Sequence, residues 1–369
     1  MRSIFPRALT LLACAAALAA CNGSTGSGTH ALAVTATGRV ERGGDVALAV
    51  TDGGAAVPLA QVTWAVSPAG AAAVDAAGHA HLSQAVPITF VASAGGHTGQ
   101  VRLDVPLPPT VVFDRLANGS YDVWQVSLDG GELKQLTTST FDDIMPAAAH
   151  GTVAFVSYRT GNAELYTLPV GGGAETRITT TAANEAAPAL SRDGTRIAFT
   201  NDASGVDKLW TAAVNGSGAA PAAPAFGFGG SIDASPSWAP SGRLAFVSTA
   251  NGSPDIFGFT PPGTPTLVVG GTFADIQPSY GPDGSKLAFV SNRDGDTELY
   301  MLDVATSVVT RLTTRVGTDA EPGWLPDGRL VFTSFTGGVA TLHWLDPAAP
   351  AVIHDIPSGG SGRHPTGVL

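Results

Sequence analysis

Cysteine is almost absent from this sequence: Cys14 and Cys21 are the two in 369 residues. Beyond residue 21 there is no thiol to serve as nucleophile, to ligate a metal or to form a disulfide. Charge is also scarce. Only 13% of residues are Asp, Glu, Lys or Arg, against 44% hydrophobic, a globular rather than a disordered balance. The charge present is acidic, with a net value of −11. Phosphate binding needs clustered Lys and Arg, so a nucleic-acid partner is excluded. No second long apolar run follows the first 21 residues, so the remainder is expected to be soluble. The GxSxG and HExxH motifs are missing and the eight histidines are scattered. No enzyme is expected on these grounds.

What is present begins with a targeting segment. Arg2 and Arg7 form a positive start, and Leu9 to Leu18 is an apolar stretch too short for a membrane span. It ends in Leu18-Ala19-Ala20-Cys21, which resembles the bacterial lipobox. The resemblance implies that residues 1–21 are a lipoprotein signal peptide and that Cys21 is lipidated. More than one acyl chain on that residue suffices for stable anchoring. Asn22 is not Asp, a pattern similar to outer-membrane sorting, so a location facing the periplasm is expected. Residues 22–29 (NGSTGSGT) read as a flexible tether.

Residues 30–105 carry period-two runs: Val46, Leu48 and Val50; Val62, Trp64 and Val66; Ile88, Phe90 and Ala92; Val101, Leu103 and Val105. Turns with Gly or Pro separate them, which predicts a small β-sandwich. The strand around Trp64 and the turn Val74-Asp75-Ala76-Ala77-Gly78 resemble bacterial immunoglobulin-like domains. Trp64 is expected to be the core aromatic. His79 and His81 stand two apart on one strand face and read as solvated, since no third metal ligand lies nearby in sequence. Pro106, Pro108 and Pro109 form a stiff linker.

From 110 to 369 the sequence repeats. Pro146, Pro188, Pro236, Pro278, Pro322 and Pro365 are spaced by 42, 48, 42, 44 and 43 residues. Phe113, Phe155, Phe199, Phe246, Phe289 and Phe332 keep the same rhythm inside apolar second strands. Val123, Leu165, Leu209, Ile256, Leu299 and Leu342 begin or lie in third strands. Fourth strands end in QLT at Thr137, RIT at Thr179 and RLT at Thr313. Four strands per unit at a period near 43 predict propeller blades. The unit from Thr110 lacks a first strand of its own, and RHPTGVL at the end of the chain is available to supply it. An all-β, six-bladed propeller closed by the C-terminal strand is therefore expected. The insertion from Asn215 to Gly230 leaves the outer strand of the third unit uncertain.

The units, of which DIQPSYGPDGSKLAFVSNRDGDTELYMLD is the cleanest, resemble the TolB-type, WD-like β-propeller repeat. TolB carries an α/β domain before its propeller, where this chain has an immunoglobulin-like segment and a lipobox. The resemblance is at the level of the repeat. It implies a non-enzymatic envelope scaffold that binds a protein or polymer. Similar propellers precede the hydrolase domain of prolyl-oligopeptidase-type enzymes, but the sequence ends at Leu369, where that domain would begin.

The acidic residue three before each proline is the candidate for chemistry: Asp143, Glu185, Asp233, Asp275 and Asp319, with Gly362 at the sixth place. In such propellers this loop enters the innermost strand, which would place five carboxylates around one channel mouth. They could hold Ca²⁺ or a basic partner side chain, or each could cap its own turn through backbone N–H groups. Arg363 and His364 are the cationic pair expected there. A propeller lyase or hydrolase acting on carbohydrate or peptide at this mouth is the alternative function. Asp122, Glu164, Asp255 and Glu298, before the third strands, are expected at solvated edges. Trp238, Tyr280 and Trp324 are expected between blades, and Asn292 to Glu298 as a hairpin turn rather than a calcium loop.

Overall fold

The computed structural model describes residues 31–368 apart from 224, 225 and 227–230. The expected signal segment with Cys21, the expected tether 22–29 and most of the later part of the 215–230 insertion lie outside the described residues. The chain divides into two compact units, Met1–Pro108 and Pro109–Leu369. Among the described residues it is all-β, with a single short 3₁₀ turn at Leu59–Gln61.

The first unit has two antiparallel sheets. One orders Ala33–Gly38, Asp45–Asp52, His79–Leu82 and Ala72–Val74, with Ala55–Ala56 added to the second of these. The other orders Thr63–Ser67, Pro87–Ala94 and His97–Asp104. Alternation sends Val46, Leu48, Val50, Ala80, Leu82, Ile88, Phe90, Ala92, Val101 and Leu103 into one core. Trp64 departs from expectation. It is only partly buried, and Phe90 is the fully buried aromatic. Thr63–Ser67 is an edge strand with one neighbour, whereas Phe90 lies on the central strand and is covered on both sides. His79 pairs with Asp75 and His81 with Asp45, all four exposed.

The second unit contains, among the described residues, six four-stranded antiparallel sheets. Five are sequential. Their innermost strands are Asp143–Ala149, Glu185–Leu190, Asp233–Trp238, Asp275–Tyr280 and Thr318–Trp324. The remaining sheet orders Lys134–Gln135, Ser120–Ser127, Thr110–Ala117 and Gly362–Gly367. The last of these pairs Gly362 with Arg115 and Gly367 with Val111. The outer strand of the third unit is Ala220–Pro221, paired with Trp210 and Thr211.

Second strands such as Leu244–Ser248 are buried along their whole length, because another sheet covers each face. Their phenylalanines, Phe113, Phe155, Phe199, Phe246, Phe289 and Phe332, are at most 1% exposed. Each apolar core joins one sheet to the next. One holds Val112 with Phe155, and another holds Val111 and Phe113 with Val331 and Trp344, joining the sixth sheet to the first. Burying each ring contributes about 2–3 kcal/mol through the area removed from water.

Each innermost strand carries a bulge directly before its repeat proline. Pairing skips from Ile144 to Ala147, and likewise in the other five sheets. The residue inside the bulge has positive φ: Met145 52°, Ala187 47°, Ser235 51°, Gln277 52°, Glu321 57° and His364 50°. An extra residue unpaired in the ladder bends the strand and re-aims its side chain.

Candidate functional site

The six innermost strands surround one cavity of about 270 Å³. Its wall begins at the bulge residues and runs to Leu190, Trp238, Tyr280 and Trp324 at the strand ends, where Arg192 joins it. The bulge ring is graded. Met145 and Ala187 are apolar, Ser235 and Gln277 are neutral and polar, and Glu321 and His364 are ionisable.

The five repeat-wide acids are not in this wall. They lie two residues earlier, at most 3% exposed. Arg159 donates two hydrogen bonds to Asp143, at 2.8 and 3.0 Å. Thr181 and Asn201 donate to Glu185 at 2.6 and 2.7 Å. Lys208 and Ser248 donate to Asp233 at 3.1 and 2.6 Å, and Arg293 to Asp275 at 2.6 Å. Asp319 stands opposite Ser334, and neither of its oxygens has a hydrogen-bond partner among the described residues. Burial raises the carboxyls of Asp143 and Glu185 above the usual range in spite of these donors. Four of these carboxylates therefore tie the first strand to the second strand or the residues just after it, Asp143 and Asp275 through an arginine, while Asp233 also reaches Lys208 of the preceding sheet. Among the described residues no group of three or more His, Cys, Asp or Glu side chains is placed to hold a metal ion.

The acids before the third strands are a correction. Asp122, Glu164, Asp255 and Glu298 are buried, not solvated at edges. For Asp122 and Glu298 the reason is the threonine closing the fourth strand, whereas Asp255 accepts from Asn251, Ser253 and the Gly271 N–H. Thr137 and Thr313 accept the third-strand N–H of Val123 and Leu299, and donate their hydroxyls to Asp122 and Glu298. Gln135, Arg177 and Arg311 add donors to Asp122, Glu164 and Glu298. Asp122, desolvated and facing the charge of Asp143, is raised to about 6.

His364 is the bulge residue held between two carboxylates. Its Nδ1 lies 2.5 Å from Asp114 Oδ1 and its Nε2 lies 3.1 Å from Glu321 Oε1. Its backbone N–H donates to Glu321 Oε2 at 2.7 Å. Thr333 donates to the same oxygen at 2.7 Å, and the Glu321 N–H donates to Gln277 at 2.9 Å. Asp114 is fully buried and accepts also from the Met145 N–H and from Arg363, whose guanidinium stacks over Tyr121. Burial disfavours the imidazolium of His364, but the bond to Asp114 and the charges of Asp114 and Glu321 outweigh it and hold its pKa above the ordinary value. Of the cationic pair, His364 lines the cavity and Arg363 does not; both are held on Asp114, and His364 also on Glu321, rather than on the five repeat-wide acids.

Residues 146–253 and 235–353 match the TolB beta propeller domain family. The chain belongs to this family. Among similar proteins, the TolB homologue of Chlorobium luteolum is 36% identical over 163 residues, 42% of this chain and 34% of that one. The TolB homologue of Protochlamydia amoebophila is 26% identical over 234 residues, 55% of this chain and 47% of that one. The chain thus spans about a third to a half of the length of these relatives. Among solved structures, TolB from Acinetobacter baumannii superposes with a TM-score of 0.64, 17% identity, and coverage of 91% of this chain and 82% of that one. A nidogen/laminin complex gives 0.55, at 13% identity, with 70% and 98% covered. Hydrazine synthase of Kuenenia stuttgartiensis gives 0.57, at 15% identity, with 71% and 47% covered. The likeness to these structures is one of fold, and it spans a protein complex and an enzyme.

Within this TolB-like propeller the recurring acids are buried behind the wall, whereas the varied bulge residues line the cavity. Sequence reasoning singled out the acids because they recur. The bulge residues, which recur in place but not in kind, were passed over except for His364. Their signal was the variable position directly before an invariant proline.

Proposed function

We propose that this chain is a non-enzymatic envelope lipoprotein whose propeller is a binding scaffold for a protein or an envelope polymer. In this reading Cys21 carries the lipid and residues 22–29 form the tether. Residues 30–105 are an immunoglobulin-like module, and the six sheets are six blades closed by Gly362–Gly367. The protein sits at the outer membrane and faces the periplasm. The supporting observation is the contrast between two rings of residues. Four of the five repeat-wide acids are bonded to the second strand or to residues just after it, while the cavity meets six different side chains at the bulges. A varied surface on a constant frame suits selective recognition. The test is crosslinking in intact envelopes followed by affinity capture. A defined protein or polymer should be recovered with the wild type and lost with Cys21→Ser, which removes the anchor. Recovery of free protein alone from the wild type counts against the reading.

The second reading is a propeller lyase or hydrolase acting on carbohydrate or peptide. It is favoured by one observation, the imidazole of His364 held between two carboxylates at the cavity wall, where it has the form of a general acid. Screening with envelope polysaccharides and peptides checks it. Turnover that His364→Gln abolishes would support it, and turnover indifferent to that change would sink it.

A further inference from the structure

Arg192 breaks the pattern of its own repeat. Four turns share one hydrogen bond, from Gly194 to Ser191, Gly242 to Ala239, Gly284 to Gly281 and Gly328 to Leu325. In three of them the second residue is proline: Pro240, Pro282 and Pro326. In the fourth it is Arg192, and it alone among these four residues reaches the cavity wall. Its Nη2 has one weak acceptor, the Tyr280 carbonyl at 3.4 Å, on a sheet two places around the ring. No carboxylate is bonded to it among the described residues. Burial pulls its pKa down, and only the charge of Asp283 opposes this. A half-buried guanidinium without a carboxylate is a costly arrangement that an anion would relieve.

A second donor at the same end also lacks an acceptor. Trp238 is 4% exposed and lines the cavity, and its indole N–H has no partner among the described residues. Its counterpart Trp324 donates to the Ser279 carbonyl at 2.9 Å. Ser237, next to Trp238, accepts from the Tyr280 N–H at 2.9 Å and keeps its hydroxyl proton to donate. Buried donors in proteins are normally satisfied, so unpaired ones beside one cavity mark a site for an acceptor.

We infer that this end of the cavity binds the carboxylate of a small organic acid, with Arg192 as its counter-ion and Trp238 and Ser237 as further donors. A carboxylate fits better than a phosphate dianion because Glu321 shares the cavity and the chain is acidic throughout. The other end, at Gln277 and Glu321, lies three residues back along the innermost strands, about 10 Å at the rise of a β-strand. It offers a carboxylate and an amide oxygen, which suit an ammonium or hydroxyl at the far end of the ligand. This small-molecule site is independent of what docks on the propeller and goes beyond the scaffold reading.

The test uses the full chain, with calorimetric titration of ε-aminocaproate, hexanoate, hexylamine and inorganic phosphate. The first two should bind saturably and hexylamine and phosphate should not. Arg192→Gln and Arg192→Pro should each weaken binding by about tenfold or more. Arg192→Pro installs the residue of the sister turns, so its unfolding temperature should match or exceed the wild type. That keeps loss of binding separate from loss of fold. Absence of saturable binding by either acid overturns the inference. So does wild-type affinity in both Arg192 variants, or binding of hexylamine or phosphate as tight as that of the acids.

Discussion

His364 Nδ1 lies 2.5 Å from Asp114 Oδ1, across 250 residues of sequence. One residue belongs to the last strand of the chain and the other to the first strand of the repeat region. On its other side the same ring meets Glu321 of the sixth sheet. The imidazole therefore clamps the strand Gly362–Gly367 both to its partner strand Thr110–Ala117 and to the neighbouring sixth sheet.

This clamp should be sensitive to pH. The folded pKa of His364 is raised, so its contribution is fully present below the unfolded value of about 6.5 and is lost as pH rises through the folded value. The groups facing it are Asp114, Glu321 and Arg363. Removing it with His364→Ala leaves Asp114 buried with fewer donors, at a cost of about 3 kcal/mol. Thermal melts of both proteins over a pH series check this. The gap between them should be widest on the acid side and narrow as pH rises.

Asp122 should act in the same sense, in a more acid window. Its carboxyl is raised to about 6 by burial and by Asp143. Between the unfolded value, about 4, and 6 the folded state holds the extra proton, so stability falls as pH rises through that window. The effect is on the order of 2 kcal/mol. Asp122→Asn should flatten the slope there, measured by denaturant midpoints at several pH values, with the wild type as reference.

The repeat phenylalanines should be nearly interchangeable in energetic terms. Phe155, Phe246 and Phe289 are each fully buried at the same place in their sheets. Each change to Ala should cost about 3–5 kcal/mol in chemical denaturation. A much smaller loss at one of them would mean that its sheet collapses around the gap.

Gly323 and Gly367 should resist any side chain. A Cβ on Gly323 would meet the Pro365 carbonyl oxygen at 2.3 Å, and one on Gly367 would meet the Trp324 carbonyl oxygen at 2.2 Å. Neither glycine has positive φ, so the obstacle is contact and not backbone conformation. Gly323→Ala should speed amide exchange in residues 362–367 by about tenfold or more while leaving the third sheet unchanged.

Much of this was legible in the sequence, because the determinants are local and repeated. The phenylalanine rhythm marked the second strands, since a residue covered by a sheet on each face must be apolar. Val74 to Gly78 marked a turn because glycine accepts the positive φ that turn requires. What escaped were properties that depend on partners far away in the chain. Glu298 looked like a surface residue until Thr313 and Arg311 enclosed it. Trp64 looked central until its strand proved to lie at an edge. The cavity residues escaped because the bulge before each proline is invisible to a period-two reading, yet it decides which of two adjacent side chains faces inward. Arg192 escaped because its place in the turn acquires meaning only with Tyr280 and Trp238 on the same cavity wall.

The first sheet draws its innermost strand from the far end of the chain, which sets an order of events at the ribosome. While the chain is being made, Thr110–Ala117 is an open edge with its backbone groups unpaired, and it stays so until residues 362–367 emerge. The other five sheets can form as their strands appear. A stalled or clipped chain would keep a sticky edge and an uncovered apolar face, an invitation to chaperones, proteases or aggregation. Pairing of Gly362–Gly367 is thereby a readout that the whole repeat region has been made.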